Sequence, residues 1–123
     1  MSEVQSYRDL IVWQKGMSLA EEAYKHAKLM PRTEEYRLTN QLLRAAASVP
    51  ANIAEGNSRG TRRDYANFVS IARGSVAEVE TFLQLAVRCD LLKLEDAESA
   101  LTLADELGRM LNALRRRLAE PAE

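Results

Sequence analysis

Between Thr61 and Arg88 the apolar residues Tyr65, Val69, Ala72, Val76, Val79, Leu83 and Ala86 recur at alternating spacings of four and three through three heptads. Only a helix brings such positions to one side, at about 100° per residue, so this stretch predicts a long amphipathic α-helix. Phe68, Ile71 and Phe82 lie on an adjoining face and broaden the apolar side. Thr61 with Asp64 three residues on has the form of a capping box that starts the helix.

Three more stretches carry the same alternation. Leu10, Trp13, Met17, Ala20, Tyr24 and Ala27 form a stripe that runs to about Met30, with Ser6 and Asp9 as a capping box ahead of it and Pro31 behind. Leu38, Leu42, Ala45, Val49 and Ile53 form the next, for which Thr33 is the expected cap and Glu34 and Glu35 the acidic first turn. Ala97, Leu101, Ala104, Leu107, Leu111, Leu114 and Leu118 form the last, ending before Pro121. The spacing therefore predicts helices over about 9–30, 34–56, 62–90 and 95–118. The connections between them are short, and short connections set successive helices side by side. The expected fold is all-α, an antiparallel up-down-up-down four-helix bundle occupying residues 1–123 as one domain.

The second helix contains an exception to ordinary helical chemistry. Pro50 removes a backbone donor in mid-helix and is expected to bend rather than end it, since Ala51 to Glu55 still suit a helix and Gly56 offers a stop. Asn52 and Glu55 stand among Val49, Ile53 and Ala54, where a purely structural helix would stay apolar. Gly16, Gly74 and Gly108 interrupt the other helices; a mid-helix Gly costs about 1 kcal/mol relative to Ala, so each is read as permitting close helix contact. Ile11, Val12, Leu43, Ile71, Phe82, Leu103 and Met110 fall outside the main stripes, more than one small bundle can bury, which points to contact with another subunit.

The net charge of −1 argues against a protein that coats nucleic acid indiscriminately, but the charge is unevenly spread. Residues 44–75 carry five basic and two acidic groups, 76–106 two and eight, and 107–123 four and two. Cys89 is the only cysteine, which excludes an intrachain disulfide and a cysteine-built zinc site and fits a reducing compartment. The N-terminus lacks a basic region followed by an apolar run, and no apolar segment approaches the roughly 20 residues of a membrane span. A cytoplasmic location is expected, with no membrane partner.

The segments YRDLIVWQKGM and EEYRLTNQLLRAAASVPANIAEGNSRGTRRDYANFVSIARGSVAEVE, with the leucine-rich final helix, resemble the four-helix-bundle proteins encoded by intervening sequences in 23S rRNA genes. The likeness covers about residues 7–118 and rests on Asp9-Leu10 with Trp13, on Gln41 to Gly56, and on Ala72 to Ser75 with Glu78. That family is related to the accessory variability determinant of diversity-generating retroelements, a basic pentameric partner of a reverse transcriptase. The resemblance implies a homo-oligomer, a ring of five, that binds RNA or a ribonucleoprotein. The retroelement proteins are strongly basic and this chain is not.

Candidate sites divide into two groups. Asn52 and Glu55 share a helix face and are expected to form a small polar site with Arg73 or Ser75 of the next helix, beside Gly56. Such a carboxylate can serve an enzyme as a base; the architectural reading has Glu55 held by loop amides or an Arg, and Asn52 satisfying backbone groups freed by Pro50, and is preferred. Arg59, Arg62 and Arg63 cluster at the second turn, and Arg115, Arg116 and Arg117 near the chain end; an up-down bundle brings both to one pole, where they would bind phosphates or act as a solvated cap. No metal or cofactor is expected. His26 is the only histidine, with Ala at position 23, so the Glu-x-x-His pattern of di-iron bundles is missing, and it is read as a partly exposed helix residue. Cys89 is read as a small packing group. The reading is a non-catalytic oligomeric binding protein, associated with RNA or a ribonucleoprotein. The alternatives are an accessory protein that binds a reverse transcriptase and its RNA, or a purely structural oligomer.

Overall fold

A computed structural model describes residues 6–121. Four helices, α1 (Ile11–Leu29), α2 (Leu38–Asn57), α3 (Arg62–Arg88) and α4 (Leu94–Ala119), make up almost all of it, and there is no strand among the described residues. α1 packs on α2 and α4, and α3 on α2 and α4, so the α1–α3 and α2–α4 pairs stand across the bundle from each other. Cross-helix contacts fix the directions. Gly16, early in α1, faces Val49 and Pro50, late in α2. His26 near the end of α1 meets the carbonyl of Asp96 at the start of α4, and Arg62 at the start of α3 meets that of Arg117 at the end of α4. The result is the antiparallel up-down-up-down bundle.

The stripes of α2, α3 and α4 form the core, with Leu42, Val49, Ile53, Val69, Val76, Leu83, Leu107 and Leu111 fully buried. α1 differs. Its buried residues are Val12, Gly16, Leu19, Ala23 and His26, one position round from the expected stripe. Met17 and Tyr24 are exposed, and Trp13 and Ala20 only partly covered. Both stripes have the four-three spacing; the small Gly16 and Ala23 let α1 approach its neighbours, which the bulkier Trp13-Met17-Tyr24 stripe would prevent. A Cβ on Gly16 would lie 3.3 Å from Val49 Cγ1. Of the residues outside the main stripes, Val12 is core, Leu43, Phe82, Leu103 and Met110 pack partly buried against it, and Ile11 and Ile71 remain exposed.

The helix ends show what capping achieved. Ser6 and Asp9 form the expected box, Ser6 Oγ accepting from Arg8 N at 3.1 Å and Asp9 accepting from Ser6 N at 3.2 Å, but they cap a 3₁₀ turn, Tyr7–Asp9, that precedes α1. Thr61 Oγ1 accepts from Asp64 N at 3.1 Å and starts α3. Thr33 caps nothing: Arg32–Glu34 is a second 3₁₀ turn and α2 begins at Leu38, the first buried residue of its stripe. At the end of α3, Asp90 takes a left-handed conformation (φ 60°), and Leu91 N donates to Ala86 O at 2.8 Å, closing the helix as a glycine ordinarily would. Pro50 sits inside an unbroken α2, its ring buried against Gly16. That packing offsets part of the roughly 3 kcal/mol a proline costs within a helix.

Candidate functional site

Of the expected polar site between α2 and α3, half assembles. The Asn52 side-chain amide donates to Ser48 O and to Ser48 Oγ, both at 2.8 Å. Ser48 Oγ lies 2.8 Å from Ser75 Oγ on α3. The knot is thus Ser48, Asn52 and Ser75, partly buried where the two helices touch. Ser48 was hidden in the sequence by its alanine neighbours; its place four residues before Asn52 is the signal that would have found it. The backbone carbonyl that Pro50 leaves without its usual helical donor is that of Ala46, so Asn52, bonded at Ser48, does not serve it.

Glu55 and Arg73 take no part in the knot. Glu55 points to solvent and pairs with Arg59, Oε2 to Nε at 3.0 Å, one turn on in sequence. Arg73 is two positions from Ser75, about 200° round the helix, and therefore faces α4. Its guanidinium lies over Gly108, where an added Cβ would stand 3.1 Å from its Cζ, and reaches Glu80 only at 4.0 Å. Burial raises the Glu80 carboxyl above its ordinary pKa, against the lowering influence of Arg73; the charge of Asp105 adds to the rise. Gly56 is a contact point of the backbones, because a Cβ there would come within 2.6 Å of Phe68 Cβ. With the carboxylate of Glu55 turned outward, the knot joins two helices and holds no acid–base pair.

The six arginines fall at one pole, in three different settings. Arg62 reaches across from α3 to donate to Arg117 O, placing a cation at the negative end of the α4 dipole. Arg59 is held by Glu55 and lies over the Phe68 ring, 5.0 Å from its centre. The side chains of Arg63, Arg115, Arg116 and Arg117 are exposed and form no ion pair among the described residues. Between the clusters sits Tyr65, whose hydroxyl is buried without a well-formed hydrogen bond. Burial raises its pKa, which the nearby Asn57 side chain and the Arg117 charge only partly oppose. At the other pole, Glu95 and Asp96 open α4 beside Lys25 and Lys28 at the end of α1, so that end is mixed in sign.

His26 is buried rather than partly exposed, at 3% of its accessible surface. Its Nδ1 lies against Glu22 O and its Nε2 2.6 Å from Asp96 O, so the ring ties α1 to α4. One of these two carbonyls, that of Glu22, is a turn back on α1, but the other, that of Asp96, comes from a helix seventy residues away, which the local sequence around His26 does not reveal. Cys89 is exposed rather than packed. No group of three or more His, Cys, Asp or Glu residues able to hold a metal occurs among the described residues.

A wide concavity lies on another side. A groove of about 690 Å³ runs between α1 and α2, floored by Ala46, Ala47, Pro50, Ala51 and Ala54 and edged by Trp13, Met17 and Tyr24. It is the displaced aromatic stripe of α1 that lines it. Among the described residues no helix is long and apolar enough to cross a membrane.

The family model for the 23S rRNA-intervening sequence protein matches residues 8–113, and so spans the groove, the polar knot and the first arginine cluster. No curated protein matches the chain. A crystal structure of a protein with unknown function from the S23 ribosomal protein family of Bacteroides thetaiotaomicron superposes with a TM-score of 0.80 at 27% sequence identity, covering 86% of this chain and 99% of that one.

Proposed function

Since the chain belongs to the family of 23S rRNA-intervening sequence proteins, we propose that it is a non-catalytic, cytoplasmic, homo-oligomeric protein whose basic pole binds RNA or a ribonucleoprotein. The observation that carries this reading is the bond from Arg62 to the Arg117 carbonyl, which draws the two arginine clusters to one pole, where Arg63, Arg115 and Arg116 are exposed. Unpaired guanidinium groups on one surface suit phosphate, and each phosphate contact releases counterions on binding. Arg59 and Arg62 are partly committed to the fold and are expected to contribute less. Their intramolecular partners favour the second reading, an oligomer in which the arginines serve structure alone. A third, in which the same pole receives a reverse transcriptase and its RNA, differs only in the partner.

The test is the salt dependence of binding to structured RNA. Affinity is expected to fall steeply with salt, and the combined Arg63→Ala, Arg115→Ala and Arg116→Ala variant should lose about one unit of slope for each phosphate contact removed. A slope unchanged in the triple variant would reject the pole as the binding surface.

A further inference from the structure

α2 and α3 enclose a second concavity, a groove of about 360 Å³ walled by Gln41, Arg44, Ala45 and Ser48 on one side and by Glu78 and Phe82 on the other. Spacings of three and four set each group on one face of its helix. Ser48 touches Ser75, so in antiparallel helices of equal rise Arg44 stands level with Glu78 to within one residue, and Gln41 level with Phe82. A guanidinium and a carboxylate thus face each other across the groove, with a ring and a side-chain amide toward one end and a hydroxyl toward the other.

These polar groups are not engaged elsewhere. Among the described residues the side chains of Gln41, Arg44 and Glu78 make no hydrogen bond or ion pair, with one another or with any other group. The hydroxyl is open as well. Ser75 is buried and has Ser48 Oγ as its partner at 2.8 Å, and Ser48 Oγ also accepts from Asn52 at 2.8 Å. With Ser75 donating, since a buried hydroxyl needs an acceptor, both lone pairs of Ser48 are filled. Its own hydrogen is then the one left to donate into the groove.

This set excludes simple ligands. Glu78 repels a phosphate or carboxylate, Arg44 repels a metal ion or an amine, and an apolar molecule would take water from both charges and leave them unpaired. What fits is a neutral, flat group with two adjacent acceptors on one edge and two adjacent donors on the next. Guanine has that pattern. Its N7 and O6 take parallel N–H groups of an arginine, its N1–H and N2 amino group donate side by side to a carboxylate, and its face stacks on a phenyl ring. Adenine, cytosine and uracil have no two adjacent donor groups. The groove is near the small end of ligand clefts, about 300–1,000 Å³, and takes one base rather than a helix. We propose that the α2–α3 groove binds a guanine base, held at its edges by Arg44 and Glu78, at its face by Phe82 and at its rim by Gln41 and Ser48. The base belongs to a free nucleotide or to an unpaired residue of RNA. Arg44 lies roughly 20 Å along α2 from its end at Asn57, away from the basic pole, so only the RNA source rests on the function proposed above.

Guanosine, inosine and adenosine monophosphates share a phosphate and differ in the base, and inosine lacks only the N2 amino group of guanosine. In NMR titrations of the full chain, guanosine monophosphate is expected to shift the backbone amides of Gln41, Arg44, Ser48 and Glu78. Inosine monophosphate should bind about 10-fold more weakly, and adenosine monophosphate should leave these amides in place. No shift from any of the three, equal shifts from all, or shifts confined to Arg63, Arg115 and Arg116 would overturn the guanine site. Arg44→Ala and Glu78→Gln change exposed side chains and should abolish the guanosine response with helical circular dichroism retained; a response that survives both overturns the proposal. Should Arg44→Ala fail to fold, Arg44→Lys keeps the charge, loses the parallel donors and is read in the same way. A structured RNA with one unpaired guanine, compared with its inosine-substituted copy by fluorescence anisotropy, separates the two sources. A preference for guanine that both variants erase assigns the site to RNA, and equal binding of the two RNAs with the guanosine response intact assigns it to the free nucleotide. Failure to bind either RNA rejects the function proposed above and leaves the groove to stand on the nucleotide titration alone.

Discussion

At Gly56 a single hydrogen stands where a methyl would collide with Phe68 Cβ, at 2.6 Å, just before the chain turns from α2 into α3. The neighbouring atom is the root of a side chain and cannot swing away, so the helices themselves must part. Gly56→Ala is expected to destabilise the protein by about 1–3 kcal/mol in urea unfolding, despite the better helix propensity of alanine. A stabilised variant would show that the helix ends yield freely. This residue was legible in the sequence as a glycine beside a turn, but its reason, the proximity of Phe68, needed α3 in place. His26 behaves similarly: its burial depends on carbonyls of Glu22 and Asp96, and only the second helix to arrive explains it. Asn52 stood out for its polarity, whereas its bonded partner Ser48 did not.

At the scale of the element, α2, α3 and α4 each offer one dominant apolar stripe and their buried faces were readable from spacing alone. α1 offers two stripes side by side, and periodicity cannot choose between them; the close approach at Gly16 decides. The pair Arg73 and Ser75 failed as a joint site for an equally simple reason, since two positions along a helix face nearly opposite ways. Arg73 instead lies over Gly108 of α4, 4.0 Å from Glu80, whose partly buried carboxyl makes this part of α3 sensitive to pH. The Glu80 carboxyl is raised above its ordinary 4.5 mainly by burial. The folded state therefore holds this proton more tightly than the unfolded one. Its contribution to stability is fully present below the unfolded value and is lost as pH rises through the higher folded value. Glu80→Gln stays neutral throughout, so it should gain on the parent as pH rises through that window. Urea midpoints across that range measure the difference, and parallel curves for parent and variant would rule out Glu80 as the titrating group.

For the whole molecule, the proposed homo-oligomer and the proposed basic pole bear on each other through symmetry. In a closed ring of such subunits with its axis along the helices, every copy's Arg63, Arg115 and Arg116 would share one rim, because all the bundles would point one way. One chain at −1 net charge is a weak binder of a polyanion, but several poles on one rim would engage a single RNA together, the later contacts forming at high effective concentration. Breaking such a ring should then cost far more affinity than any change to one pole would, although no arginine has been altered. Ile71→Lys supplies this test, since it replaces an exposed apolar side chain, of the kind a subunit contact would use, and adds a positive charge that on its own would help RNA binding. Titrated with a structured RNA long enough to span neighbouring poles, the variant is expected to bind on the order of 10²-fold more weakly than the parent. With a hairpin too short to reach a second pole, the two should bind alike. Equal loss on both RNAs would mean that Ile71 lies in the binding surface itself, and no loss on either would separate the basic pole from the ring.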